Sequence, residues 1–262
     1  MSNQQESTLR TLVVALVVCL VCSIFVAGAA VALKPVQLEN RLLDKQRSIL
    51  AIAGLGESGM SAKQIKALYD ERITAKVVDL GTGQYSDAQD ARIYDQLKAA
   101  KDPKLSEAVP AEADIASIKR RERFATVYLV EDQGKLEKVI LPVRGYGLWS
   151  TLYGFIALEG DLNTVVGFGF YQHGETPGLG GEVDNPKWKG LWKGKTLFDG
   201  NGELAVEIIK GGVDPQSPKA VHQVDALAGA TLTSKGVNNL LHFWLGENGF
   251  GPFLAKLHKG EA

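Results

Sequence analysis

The apolar positions of this chain change spacing several times along its length. Residues 12–33 form an unbroken apolar run with no charge and no proline. As a helix, such a run reaches roughly 33 Å, enough to cross the hydrocarbon core of a bilayer. Past it, Leu42, Leu43, Ile49, Leu50 and Ala53 recur at roughly helical spacing, with Asp44, Lys45 and Arg47 on the other face and Gly54 as a stop. This predicts a second, amphipathic helix over residues 36–53. Ser61 is placed to cap a helix running to about residue 72. Residues 74–80 predict a short strand. Residues 85–110 are polar, with a helix expected around 90–100.

β-prone runs at 125–130 and 136–143 flank Glu131-Asp132-Gln133-Gly134-Lys135 and predict a hairpin. A second pair, 154–158 and 164–171, flanks Glu159-Gly160-Asp161-Leu162-Asn163. Residues 204–209 and 223–227 add strand candidates, and 185–193 and 234–246 add helices. Adjacent hairpins without βαβ alternation predict an α+β fold: an N-terminal transmembrane helix, then a mainly antiparallel sheet with flanking helices. The expected division is a tail (1–11), a transmembrane helix (12–33), a stalk and mixed subregion (34–120) and a principal domain (121–262).

Composition narrows the function. The chain has 262 residues, a formal charge of −1 and the apolar and charged fractions of a globular protein, so no basic excess points to nucleic acid. Ala27-Gly28-Ala29 or Ala30-Val31-Ala32 would suit a signal-peptide cleavage site, but the apolar run exceeds a normal signal core, which favours a retained anchor. Arg10 alone precedes the run, whereas Lys34, Arg41, Lys45 and Arg47 follow it. That count puts the bulk of the chain inside, although long domains cross largely regardless of charge. Cys19 and Cys22 both lie in the run, without further ligands for a metal, and read as small helix residues. The four histidines (173, 222, 242, 258) lack metal-binding spacing, and Asp87, Asp90, Asp95 and Asp102 read as a solvated face. With no G-x-G-x-x-G after a strand and no Walker A loop, the chain is not expected to bind NADH itself.

Three segments remain as candidate chemistry. In Asp225-Ala226-Leu227-Ala228-Gly229-Ala230-Thr231-Leu232-Thr233-Ser234, small residues surround three hydroxyls at a strand-to-helix turn. Thr233 or Ser234 is placed to N-cap the following helix, whose free amides and dipole favour a phosphate. The bland alternative is an ordinary turn and cap. Gly145-Tyr146-Gly147-Leu148-Trp149-Ser150-Thr151-Leu152-Tyr153-Gly154 and His173-Gly174-Glu175-Thr176-Pro177-Gly178-Leu179-Gly180-Gly181-Glu182 interleave glycine with aromatic, hydroxyl and aliphatic side chains. Such a mixture suits a flat ring with polar edges, and equally suits turns and a core. His173 and Glu175 carry no spacing that would make them acid–base or metal groups.

The turn of Asp225, Gly229-Ala230-Thr231 and Ser234 resembles the covalent-flavin motif of the FMN-binding domain family, with Ala228 where that family often has Ser or Thr. Glu175-Thr176-Pro177-Gly178-Leu179-Gly180 is shared across the family. Gly147-Leu148-Trp149-Ser150-Thr151, Asn40-Arg41-Leu42-Leu43-Asp44 and Trp244-Leu245-Gly246 resemble one branch of it, the C subunits of sodium-translocating NADH:quinone reductases. The resemblance implies one FMN joined through its phosphate to Thr231, with Gly229, Ala230, Ser234 and Asp225 around the attachment. It implies ring contacts from Thr176 and Leu179, with Trp149 and Ser150 nearby and Lys210 close to phosphate or ring. No catalytic acid, nucleophile or metal is implied.

The implied role is electron relay in a bacterial inner-membrane complex that oxidises NADH, reduces ubiquinone and exports sodium, with the bulk of this chain periplasmic. The implied partners are an FMN-carrying B subunit, iron–sulfur-bearing membrane subunits and a flavin transferase. Two alternatives stand beside it: the G subunit of an Rnf-type electron-transport complex, and an anchored non-redox assembly or sensor domain.

Overall fold

The computed structural model describes residues 8–57 and 59–262; residues 1–7 of the expected tail lie outside the described residues. Helix α1 (Thr8–Ile52) takes up both the apolar run and the amphipathic stretch, with Pro35 inside it. The sequence predicts two helices here, and the structure has one. A proline removes one N–H and crowds the carbonyl four residues back, a cost of about 3 kcal/mol. The flanking residues are mostly good helix formers, and their i→i−4 bonds continue on both sides. The chain separates at Asp44/Lys45 into two compact units. In the first, α1 is exposed almost throughout, including the free thiols of Cys19 and Cys22, and is long and apolar enough to cross a membrane.

The second unit starts with the last turns of α1. Helix α2 (Ala62–Arg72) opens with the expected cap: Ser61 Oγ accepts from the Gln64 amide and the Gln64 side chain accepts from the Ser61 amide. Strands β1 (Thr74–Asp79) and β2 (Gln84–Tyr85) follow, then a single turn of helix, α3 (Gln96–Ala99), and a small antiparallel pair, β3 (Ser106–Ala108) and β4 (Arg120–Glu122). The two expected hairpins are β5 (Phe124–Asp132) with β6 (Lys135–Tyr146), and β7 (Thr151–Glu159) with β8 (Val165–Gln172). These strands build one antiparallel sheet in the order β2-β1-β5-β6-β7-β8. After the short helix α4 (Pro186–Gly190) come β9 (Glu207–Ile209) and β10 (Gln223–Asp225), which pair in parallel. Helices α5 (Thr231–Leu245) and α6 (Gly251–Lys259) end the chain; α6 is not among the elements expected from the sequence pattern.

The sheet is covered on both faces, as the two-residue alternation of its side chains requires. Val139, Leu141 and Val143 of β6, with Leu152, Ile156 and Leu158 of β7, join the main core built with Val237, Leu240, Leu241 and Trp244 of α5. Their neighbours Ile140, Phe155 and Tyr128 are buried on the opposite side. There Lys45 Nζ lies over the Tyr128 ring, 5.3 Å from its centroid, and Lys138 Nζ donates to the Ala53 carbonyl, so the end of α1 covers this face.

One buried ion pair joins β4 to β6, and Trp244 of α5 packs on its arginine. Arg144 Nη2 lies 2.7 Å from Glu122 Oε2, its guanidinium sits over the Trp244 ring, and Trp244 Nε1 donates to the Arg144 carbonyl across 2.6 Å. Burial pushes the Glu122 carboxyl up, and the adjacent guanidinium opposes that shift. Breaking such a pair from one side typically costs about 3–5 kcal/mol, so the arginine on which Trp244 packs is firmly placed.

Candidate functional site

Helix α5 begins earlier than its hydroxyls suggest. The sequence predicts a cap at Thr233 or Ser234, but the helix starts at Thr231 behind Ala230, because the Ala230 carbonyl already accepts the Ser234 amide. Neither hydroxyl caps the helix. Ser234 Oγ donates to the Ala230 carbonyl and accepts from the Leu227 amide, each across 3.0 Å, and so ties the turn to the first helical turn. Thr233 is fully buried and donates to Glu175. Of the three hydroxyls, Thr231 alone is exposed. Ala230 has no side-chain acceptor for the first amides, which leaves the helix start open to an anion. Gly229 before it has φ of +72°, a left-handed turn that glycine adopts without strain.

The three candidate segments meet at Glu175, a residue with no functional spacing in the sequence. Its side chain is buried, with the residue 5% exposed. Oε1 accepts from the amides of Leu148, Trp149 and Ser150 at 3.2, 3.0 and 3.1 Å, and Oε2 accepts from Thr233 Oγ1 at 2.7 Å. Burial alone would push this carboxyl up; the Thr233 hydroxyl and the three amides outweigh it and hold it below the usual glutamate range. The surrounding glycines admit this packing: a Cβ at Gly147 would lie 2.7 Å from Glu175 Oε1, and one at Gly180 would lie 2.5 Å from Thr233 Oγ1. A Cβ at Gly236 would strike the Tyr146 carbonyl. These three glycines therefore serve close approach within the protein. The signal available in the sequence is a run of three amides in a tight Gly-Leu-Trp-Ser turn, which needs an acceptor.

Around this hub the remaining side chains divide into two groups. Trp149, Leu179 and Leu232 are exposed at 66%, 47% and 58%, high values for large apolar groups, and Leu148 and Tyr146 border them in sequence. Leu179 reaches the helix turn, since its Cδ2 lies 3.3 Å from where a Gly229 Cβ would be. Thr176 is exposed, and its carbonyl closes the turn by accepting from the Leu179 and Gly181 amides. Ser150 Oγ accepts from the Gly174 amide across 2.7 Å, which joins the two glycine-rich loops directly. His173 accepts the Glu175 amide at Nδ1 and so presents its Nε2 proton to Asp184, 2.8 Å away.

Asp225 and Lys210 belong to a neighbouring scaffold. Asp225 Oδ1 accepts from the Val213 amide across 2.7 Å, and its carbonyl accepts from Trp188 Nε1. Its carboxylate thus supports the Gly211-Gly212 turn. Lys210 is exposed at the end of β9, where Ile209 stands in register with Asp225. The assembled site has an exposed hydroxyl at an open helix start, Leu232 next to it in sequence, Leu179 against the preceding turn, and an exposed indole on the loop that Glu175 holds. That donor set fits a ligand with an anionic end and a flat, largely apolar end.

Comparison with known proteins gives a consistent result. Residues 147–246 match the family model of the FMN-binding domain. The chain is 79% identical over 262 residues to the C subunit of the Na(+)-translocating NADH-quinone reductase of Pseudomonas aeruginosa, covering 100% of both chains. It is 50% identical to the corresponding C subunit of Yersinia pestis, over 98% of this chain and 96% of that one. Among solved structures, the crystal structure of Shewanella oneidensis NqrC superposes with a TM-score of 0.75 at 38% identity, covering 84% of this chain and 98% of that chain. The C subunit from Parabacteroides distasonis superposes with a TM-score of 0.65 at 31% identity, covering 85% and 96%.

Proposed function

The chain belongs to the family of C subunits of the sodium-translocating NADH-quinone reductase and contains its FMN-binding domain, and from this we propose that it is the membrane-anchored subunit that carries FMN covalently on Thr231. The observation that supports Thr231 most directly is the fate of the competing hydroxyls. Thr233 and Ser234 are buried and hydrogen-bonded, whereas Thr231 is exposed at the start of α5. A transferase can reach only an exposed acceptor, and a phosphate esterified there meets the open amides and dipole of the helix start.

FMN supplies the redox chemistry; the chain supplies position and surroundings. Leu179 and Trp149 offer apolar surface to the ring, Thr176 and Ser150 offer polar edges, and Lys210 offers a positive charge at the neighbouring turn. Thr231 is the substrate of a flavin transferase and not a catalytic base. In the complex, the chain relays electrons between an iron–sulfur centre and the FMN of the B subunit. A covalent tether keeps the cofactor in place while an exposed site meets different partners. The bulk of the chain lies on the periplasmic side of the inner membrane, held by α1.

Peptide mass spectrometry after co-expression with a flavin transferase tests this reading. The expected result is one FMN on the Thr231 peptide, lost in Thr231→Ala and kept in Thr233→Ala and Ser234→Ala. FMN on either of the other hydroxyls, or on no peptide, would remove the reading.

A further inference from the structure

We infer that Glu175 is the positioning residue of this site: its carboxylate fixes where the Leu148–Ser150 loop stands relative to the first turn of α5, and hence where a ring tethered at Thr231 can lie. The inference rests on the flavin reading above and deepens it. The two carboxylate oxygens divide their work between two segments. Oε1 takes the Trp149 and Ser150 amides, Oε2 takes the hydroxyl of Thr233, two residues beyond the attachment point, and the Leu148 amide is shared by both oxygens at 3.2 Å. The group cannot swing without clashing, because Gly147 and Gly180 crowd it so closely that a Cβ at either would lie 2.7 Å from one of its oxygens. Ser150, whose amide it holds, binds the Gly174 amide in turn, and Leu179 of the same glycine-rich loop packs over Gly229. Both carboxylate oxygens are committed to the loop and to Thr233, so Glu175 acts through the loop and the helix. A charge so near the site also has a sign. It disfavours added electron density on the cofactor, so its removal should make reduction easier.

The test uses the full-length chain in detergent, co-expressed with a flavin transferase, as wild type, Glu175→Gln, Thr233→Val and Thr233→Ser. The readouts are FMN mass on the Thr231 peptide, visible circular dichroism, the midpoint potential of the bound flavin and amide exchange of Leu148–Ser150. We expect FMN on Thr231 in all four. Glu175→Gln should shift the midpoint to more positive values and speed loop exchange about tenfold or more, as the loss of hydrogen bonds to a charged acceptor implies. Thr233→Val leaves the carboxylate and its amides in place, so it should change the circular dichroism by unlinking the helix alone, and Thr233→Ser should restore it. If Glu175→Gln fails to fold, Thr233→Val and its rescue decide alone. Unchanged dichroism and midpoint with FMN still attached would reduce Glu175 to a turn cap and overturn the inference while leaving the attachment intact. Absence of FMN from wild-type Thr231 would overturn both.

Discussion

Thr233 Oγ1 donates to Glu175 Oε2 across 2.7 Å, with both groups buried, although 58 residues separate them in the chain. This bond joins the start of α5 to the loop after β8. It accounts for the burial of the Thr233 hydroxyl, while Ser234 is held by the Leu227 amide and the Ala230 carbonyl. Thr233 and Ser234 are spent on the protein's own interior, and only Thr231 is left facing outward.

Ser234→Ala should therefore separate attachment from stability. The substitution leaves the buried Leu227 amide without its acceptor, a loss of about 1–3 kcal/mol. Thr231→Ala removes an exposed side chain and should change stability by no more than about 0.5 kcal/mol. Denaturant unfolding followed by tryptophan fluorescence should rank Ser234→Ala as the less stable, while mass spectrometry finds FMN only in Ser234→Ala.

Leu179→Lys should leave the fold intact, because the side chain is already half exposed. The positive charge is introduced beside Gly229, next to the attachment turn. The bound flavin should remain covalently attached with an altered absorption spectrum and midpoint. Identical spectra in wild type and variant would place the ring away from Leu179.

Acid should loosen this site through Glu175. Its folded carboxyl lies below the ordinary range, so its contribution to stability is complete above the unfolded glutamate value of about 4.3 and is lost as pH falls through the lower folded value. The wild type should lose thermal stability steadily on acidification through that window. Thr233→Val, lacking the hydroxyl that contributes most to the lowering, should be less stable at neutral pH and should lose less on acidification. Parallel curves for the two proteins would contradict the assignment.

The apolar part of α1 should persist in the mature protein. N-terminal sequencing should find no new terminus after Ala29 or Ala32. A reporter fused behind Ala262 should register periplasmic location, against the naive charge count around the span. Cytoplasmic activity of the reporter would reverse the orientation.

The sequence by itself determined the features that depend on neighbours in the chain. The apolar run of α1, the Ser61 cap and the two hairpins follow from local periodicity and turn chemistry, and the structure contains each of them. The family was legible too, because Gly229-Ala230-Thr231 and Glu175–Gly180 are short contiguous motifs. Local rules failed where a distant partner changed the outcome. The change of spacing after residue 33 predicts two helices, yet one helix runs through Pro35 and joins them. Thr233 and Ser234 have the chemistry of caps, but the helix starts at Thr231; the distant Glu175 takes the Thr233 hydroxyl, and the turn at Leu227 and Ala230 takes that of Ser234. Glu175 stood in a recognisable motif, but nothing local in the sequence showed what its carboxylate would hold. Its role arises because the sheet brings the β6–β7 turn, the loop after β8 and the start of α5 to one point, where three amides and a hydroxyl need a single acceptor. A buried carboxylate is stable only when such donors converge on it, and that convergence exists only in the folded chain.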